Sequence, residues 1–234
     1  MLRRVSSALV LPLLALSTNG CGLPSNGLAV APLAPQTIAS FAKPSSVRPS
    51  SGAAYNAVTQ FSVKSNPNGV WSYLYSGGLL TESTKSCAGI KKLLCWYNGL
   101  SFPDSVSVIG NKTGETQSVP NGIGGSITYQ TNYLGLDGQD DSLGSDVRFT
   151  TPAAGSYVAE GYFEGINTSE QSHPVAIEVN GTTVFYAIVS GYESPVPFKL
   201  KLTLNQGDTV DFISEPYGNG EFLGTGLAAK MVLR

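Results

Sequence analysis

The stretch PFKLKLTL, Pro197 to Leu204, puts Phe198, Leu200, Leu202 and Leu204 on one side of an extended chain and Lys199, Lys201 and Thr203 on the other. Such alternation is the period of a strand with one face on a core and one in water. No segment sustains the 3.6-residue period of an amphipathic helix, so the chain is expected to fold from sheets. SYVAEGYFEG repeats the pattern: Tyr157, Ala159, Gly161 and Phe163 share one face, and Val158, Glu160, Tyr162 and Glu164 the other. VAIEV and TVFYAIV flank Asn180-Gly181, the pair that best tolerates the two positive φ angles of a type I′ hairpin turn. VWSYLYS, DTVDFIS and GLAAKMVLR add further runs between Gly, Asn and Pro turns. About ten short strands spaced this way predict an all-β fold, an antiparallel, jelly-roll-like β-sandwich. A charged fraction of only 13%, with 27 Gly and 14 Pro, suits a turn-rich sheet protein. The stretch from Ser76 to Asp104 is the least regular.

The beginning of the chain reads differently. Arg3-Arg4, the apolar run ALVLPLLAL and the small and polar residues after it have the layout of an export signal. The run is too short to span a bilayer as a helix. Gly20-Cys21 follows, as in bacterial lipoprotein signals, where the cysteine becomes the lipidated first residue; ordinary cleavage nearby is the alternative. Residues 1–20 are therefore assigned to a lipoprotein-type signal. Residues 21–60, rich in Pro, Ser and Ala, are assigned to a flexible tether, and residues 61–234 to the sandwich. With Cys21 acylated, Cys87 and Cys95 remain as a pair. In an exported protein they are expected to form a disulfide, two buried free thiols being the alternative. The membrane is expected to be engaged through the lipid only. A net charge of −2, and no basic cluster beyond Lys91-Lys92, argue against a nucleic-acid partner.

FSVKSNPNGVWSYLY, VRFTTPAAGSYVAEGYFEGI, EVNGTTVF, LTLNQGDTVDF and GLAAKMVL occur in this order from Phe61 onward. As a set they resemble the jelly-roll-like sandwich domain of bacterial exported and surface proteins, the type often found with a PEP-CTERM sorting tail. No such tail follows the final strand before Arg234, so anchoring is expected to rest on Cys21. The resemblance implies a carbohydrate-binding-like role by fold. Relatives often carry His-Pro-Gly before VRFTTPAAG; residues 128–146 contain no His here, and no ligand role is carried over to them.

Catalytic signatures are sparse. His173 is the single histidine; it is expected in an exposed loop, and no nucleophile elbow accompanies it. Glu160 and Glu164 are four residues apart on one strand, about 14 Å. That is too far for a glycosidase pair unless Glu178 joins them from another strand. No enzymatic activity is therefore expected, with a glycoside hydrolase as the last alternative. Asp137, Asp140 and Asp141, with Asp146, form the densest acidic patch, a candidate calcium site or a plain polar turn. Asp208 and Asp211 are expected to cap turns. Trp71, Tyr73 and Tyr75 alternate with Val70, Ser72 and Leu74, and their larger apolar area predicts that the rings face the core, an exposed platform being the rival. Better placed to stack on a ligand are Trp96, Tyr97, Tyr133, Tyr162, Tyr192 and Tyr217, each on a loop or an outward face. A flat apolar body with a polar tip suits sugar rings. Two functions follow as expectations: an exported module binding glycan or a surface protein through these aromatics, or a structural, adhesive surface domain without a small ligand.

Overall fold

The computed structural model describes residues 50–76, 78–100, 106–122, 124–137, 144–169, 172–215 and 224–234. The chain forms β1 (Ala54–Asn56), the one-turn helix α1 (Ala57–Gln60), β2 (Trp71–Tyr75), β3 (Gly78–Leu79), β4 (Glu82–Thr84), β5 (Leu93–Tyr97), β6 (Ser107–Asn111), β7 (Gln117–Pro120) and β8 (Ser126–Tyr129). It continues through β9 (Leu134–Asp137), β10 (Ser145–Thr150), β11 (Gly155–Gly165), β12 (His173–Val179), β13 (Thr182–Val189), β14 (Val196–Leu204), β15 (Thr209–Ser214) and β16 (Thr225–Leu233). The larger sheet runs β14-β11-β16-β9-β6-β5-β4, with β1 also on β16. The smaller runs β13-β12-β15-β10-β2-β3. The pairings β10·β15, β11·β16 and β12·β13 are antiparallel. From β10 onward the chain repeatedly changes sheet, which makes a jelly-roll-like sandwich. Sixteen strands among the described residues exceed the expected ten or so because several are only two to four residues long.

The core lies between the sheets. Tyr157, Ala159 and Phe163 of β11 meet Val175 and Ile177 of β12 and Phe212 of β15, all fully buried. On β14, Phe198 and Leu204 are buried and Leu200 and Leu202 half-buried, because β14 is an edge strand. Asn180 and Gly181 both take positive φ, 51° and 75°, in the expected hairpin turn. Trp71 and Tyr73 are fully buried and Tyr75 half-buried, so the rings face inward.

Three features differ from the sequence expectations. The sandwich begins before Phe61. Residues 54–60, assigned to the tether, pair β1 with β16 and bury Ala57 and Val58. Asn56 caps α1 by accepting from the Thr59 N–H, while Gln60 Oε1 accepts from the Asn56 N–H, a reciprocal cap readable in NAVTQ. The irregular stretch holds β3, β4 and β5, with a disulfide joining Cys87 and Cys95 as expected. The hairpin β7–β8 was not anticipated. It helps cover the outer face of the larger sheet, where Leu93, Cys95, Ile109, Tyr129, Tyr133 and Ile166 form a second apolar cluster.

Candidate functional site

The outer face of β11 organises the site. With Tyr157, Ala159 and Phe163 turned into the core, Glu160, Tyr162 and Glu164 turn outward. Glu160 lies opposite Lys199 on β14 and Lys230 on β16, and its carboxylate meets their ammonium groups at 3.0 and 3.7 Å. The Lys199 hydrogen bond, with the charges of both lysines, holds its pKa below the usual carboxylate value. Next along the strand, the half-buried Tyr162 accepts a hydrogen bond on its hydroxyl from Asn132 Nδ2 at 2.9 Å. A depression of about 200 Å³ opens here, lined by Asn56, Val58, Asn132, Glu160, Tyr162 and Lys230 among others. Gly161 lets β11 approach β16, since a Cβ there would overlap the Ala228 carbonyl oxygen. The depression thus combines one aromatic flank with amide, carboxylate and ammonium groups.

Two more of the expected tyrosines join this region. The Tyr133 hydroxyl donates to the Thr128 carbonyl at 2.6 Å, and the Tyr192 hydroxyl lies 3.3 Å from Thr128 Oγ1. Tyr192 is exposed at 36%, whereas Tyr133 is buried at 1% and acts as a support beside Asn132. Burial raises the pKa of half-buried Glu164, and Glu193 raises it further.

The remaining candidates lie elsewhere. Trp96 is a correction: it is buried at 6%, donates Nε1 to the Ser62 carbonyl and stacks on Tyr73. Tyr97 is half-buried against the cluster beneath the hairpin. Tyr217, Asp140, Asp141 and Cys21 lie outside the described residues. Asp137 ends β9, where its carbonyl accepts from Ser145 Oγ. No group of three metal-ligating side chains occurs among the described residues. The carboxylate set considered for glycoside hydrolysis is not brought together. Glu178 stands on β12 of the smaller sheet, away from Glu160 and Glu164 on the larger.

Two polar placements differ from the expectation. His173 is fully buried at the start of β12, not in an exposed loop, and its Nε2 lies 2.6 Å from Thr225 Oγ1. Thr225 Oγ1 is in turn 2.7 Å from Ser214 Oγ, so the three bridge the two sheets. Asp211 does not cap a turn; it sits within β15, where Arg148 grips it through Nε at 2.6 Å and Nη2 at 3.0 Å. Asp208 does close its turn, accepting from the Asn205 N–H. On the outer face of β13 an unforeseen strip, Val184, Tyr186 and Ile188, is exposed.

No protein-family model matches the chain, and no curated protein matches it in sequence. Similar solved structures are carbohydrate-binding modules. A family 35 module from Clostridium thermocellum is 18% identical, covers 51% of this chain and 87% of its own, and gives a TM-score of 0.31. The CBM22-1 xylan-binding domain from Paenibacillus barcinonensis Xyn10C is 13% identical, with coverages of 52% and 86% and a TM-score of 0.34. The module TmCBM61, solved with β-1,4-galactotriose, is 13% identical, with coverages of 53% and 93% and a TM-score of 0.33.

Proposed function

We propose that the domain is a non-enzymatic glycan-binding module, exported and tethered by lipid on Cys21, which takes sugar in the depression beside Tyr162. One observation carries the binding reading: the Tyr162 ring stands half-exposed, with its hydroxyl fixed by Asn132, among Glu160, Lys230 and Asn56. A ring held in one place loses little conformational freedom when a ligand stacks on it. Amide, carboxylate and ammonium groups around it match the donors and acceptors of sugar hydroxyls. The pairing of Glu160 with two lysines suits positioning better than proton transfer, because it holds the carboxyl ionised.

A glycan panel with the full chain tests the binding reading. Tyr162→Ala is expected to weaken the tightest interaction about tenfold or more, in line with the loss of one aromatic contact. Silence across the panel, or equal binding by the variant, would contradict it and favour the adhesive-domain alternative. The tether is tested by palmitate labelling in a bacterial host, where Cys21→Ser is expected to abolish the signal; label that persists would remove the lipid from the account.

A further inference from the structure

The lysines are not scattered. Lys230 lines the depression on β16, and Lys199 on β14 holds Glu160 from the opposite side. Val58 also lines the depression, and the Lys112 ammonium donates to its carbonyl at 2.7 Å. From Lys112 the backbone leads outward: its N–H bonds the Lys92 carbonyl, and the Lys92 N–H bonds the Lys85 carbonyl. Lys85, Lys92 and Lys112 therefore occupy adjacent segments at roughly the 5 Å strand spacing, and Lys91 adjoins them. Lys85, Lys91 and Lys92 are exposed. No carboxylate among the described residues forms an ion pair with these three or with Lys112. Glu160 is the carboxylate inside the row, and the exposed Glu82 and Glu115 flank it in sequence.

We infer that this row is a binding track for an anionic polysaccharide, one bearing uronate or sulfate groups, which enters the depression at Tyr162. The inference rests on the glycan reading above and narrows its ligand class. Like charges on neighbouring segments repel and weaken a sheet; a polyanion laid across them converts that repulsion into attraction. The row favours a glycan over a nucleic acid for two reasons. Its exposed cations at Lys85, Lys91 and Lys92 are ammonium groups, whereas arginine is the residue best suited to grip phosphate in a bidentate way. It also carries a carboxylate, Glu160, held by Lys199 and Lys230, whose remaining lone pairs can accept from sugar hydroxyls, donors that a DNA backbone lacks.

The test uses the full chain with polygalacturonate, neutral galactan and oligothymidylate, at low and at raised salt. Polygalacturonate is expected to bind tightest and to weaken as salt rises, since exposed charges are screened. The double variant Lys85→Gln/Lys92→Gln is expected to lose about two- to fivefold per lysine for polygalacturonate while galactan binding stays unchanged. Equal or tighter binding of galactan, or salt-insensitive binding unchanged in the variant, would overturn the anionic track and leave the glycan reading standing. Preference for oligothymidylate would assign the row to nucleic acid instead. Failure to bind any of the three at either salt would remove the track, and silence across the wider glycan panel would then remove the reading beneath it.

Discussion

Trp71→Ala is expected to destabilise the domain by about 3–5 kcal/mol, the usual cost of emptying a buried large aromatic site. The ring is fully buried on β2 and packs against Phe149 at 5.3 Å and Phe212 at 6.4 Å between centroids. Its Nε1 donates to Gln60 Oε1 at 2.8 Å, so truncation also releases the side chain that caps α1. For a chain of this length the loss corresponds to a fall in melting temperature of about 6–20 °C. Thermal unfolding of the variant checks it. An exposed aromatic platform, the rival placement for these rings, would instead leave stability within a few tenths of a kcal/mol and affect binding alone.

Arg148→Ala is expected to cost about 3 kcal/mol, at the low end for breaking a buried ion pair because the Arg148 side chain is 30% exposed. The Asp211 side chain is only 5% exposed and would lose both guanidinium hydrogen bonds. Asp146, two residues before Arg148 on β10, sharpens the effect. It is 6% exposed and its Oδ1 has no hydrogen-bond partner. Burial, and then the Asp211 charge, push its pKa well above the ordinary value, while Arg148 opposes the shift. The sign is opposite to that of a paired carboxylate. A carboxyl whose folded pKa is raised favours folding below its unfolded pKa of about 3.9 and disfavours it as pH climbs toward the folded value. Asp146→Asn is therefore expected to raise the melting temperature at pH 7 and to leave it unchanged near pH 4. Denaturant melts across pH read both variants. An Arg148→Ala loss within 0.5 kcal/mol, or an Asp146→Asn variant less stable at neutral pH, would remove this account of the pair.

Where one face of a strand is wet, alternation is legible, as it is along β11 and β14. The β12–β13 hairpin was legible for a different reason, because Asn180-Gly181 supplies the two positive φ angles that its turn demands. Trp96 shows where alternation fails. Leu94 and Trp96 of β5 face the main core, while Leu93, Cys95 and Tyr97 face the cluster under the β7–β8 hairpin. A strand covered on both sides reads as a continuous apolar run, and neither side announces itself as exposed. The covering hairpin was itself obscure, since its short strands offer only Val119 and Ile127 as aliphatic residues. Tyr133 is buried rather than outward because a tyrosine can be buried once its hydroxyl finds a carbonyl, and the Thr128 carbonyl is brought to it by tertiary structure. Tyr162 was legible as an outward ring between Glu160 and Glu164. Its joining with Asn132, Asn56 and Lys230 depends on strands distant in sequence, as does the lysine row.

The glycan-binding claim is tested most directly by mapping backbone amide shifts while the tightest oligosaccharide from the panel is titrated into the isotope-labelled chain. Saturable shifts gathered at Asn56, Asn132, Tyr162 and Lys230 are the predicted result. Shifts gathered instead on Val184, Tyr186 and Ile188, or absent at saturation, would contradict it.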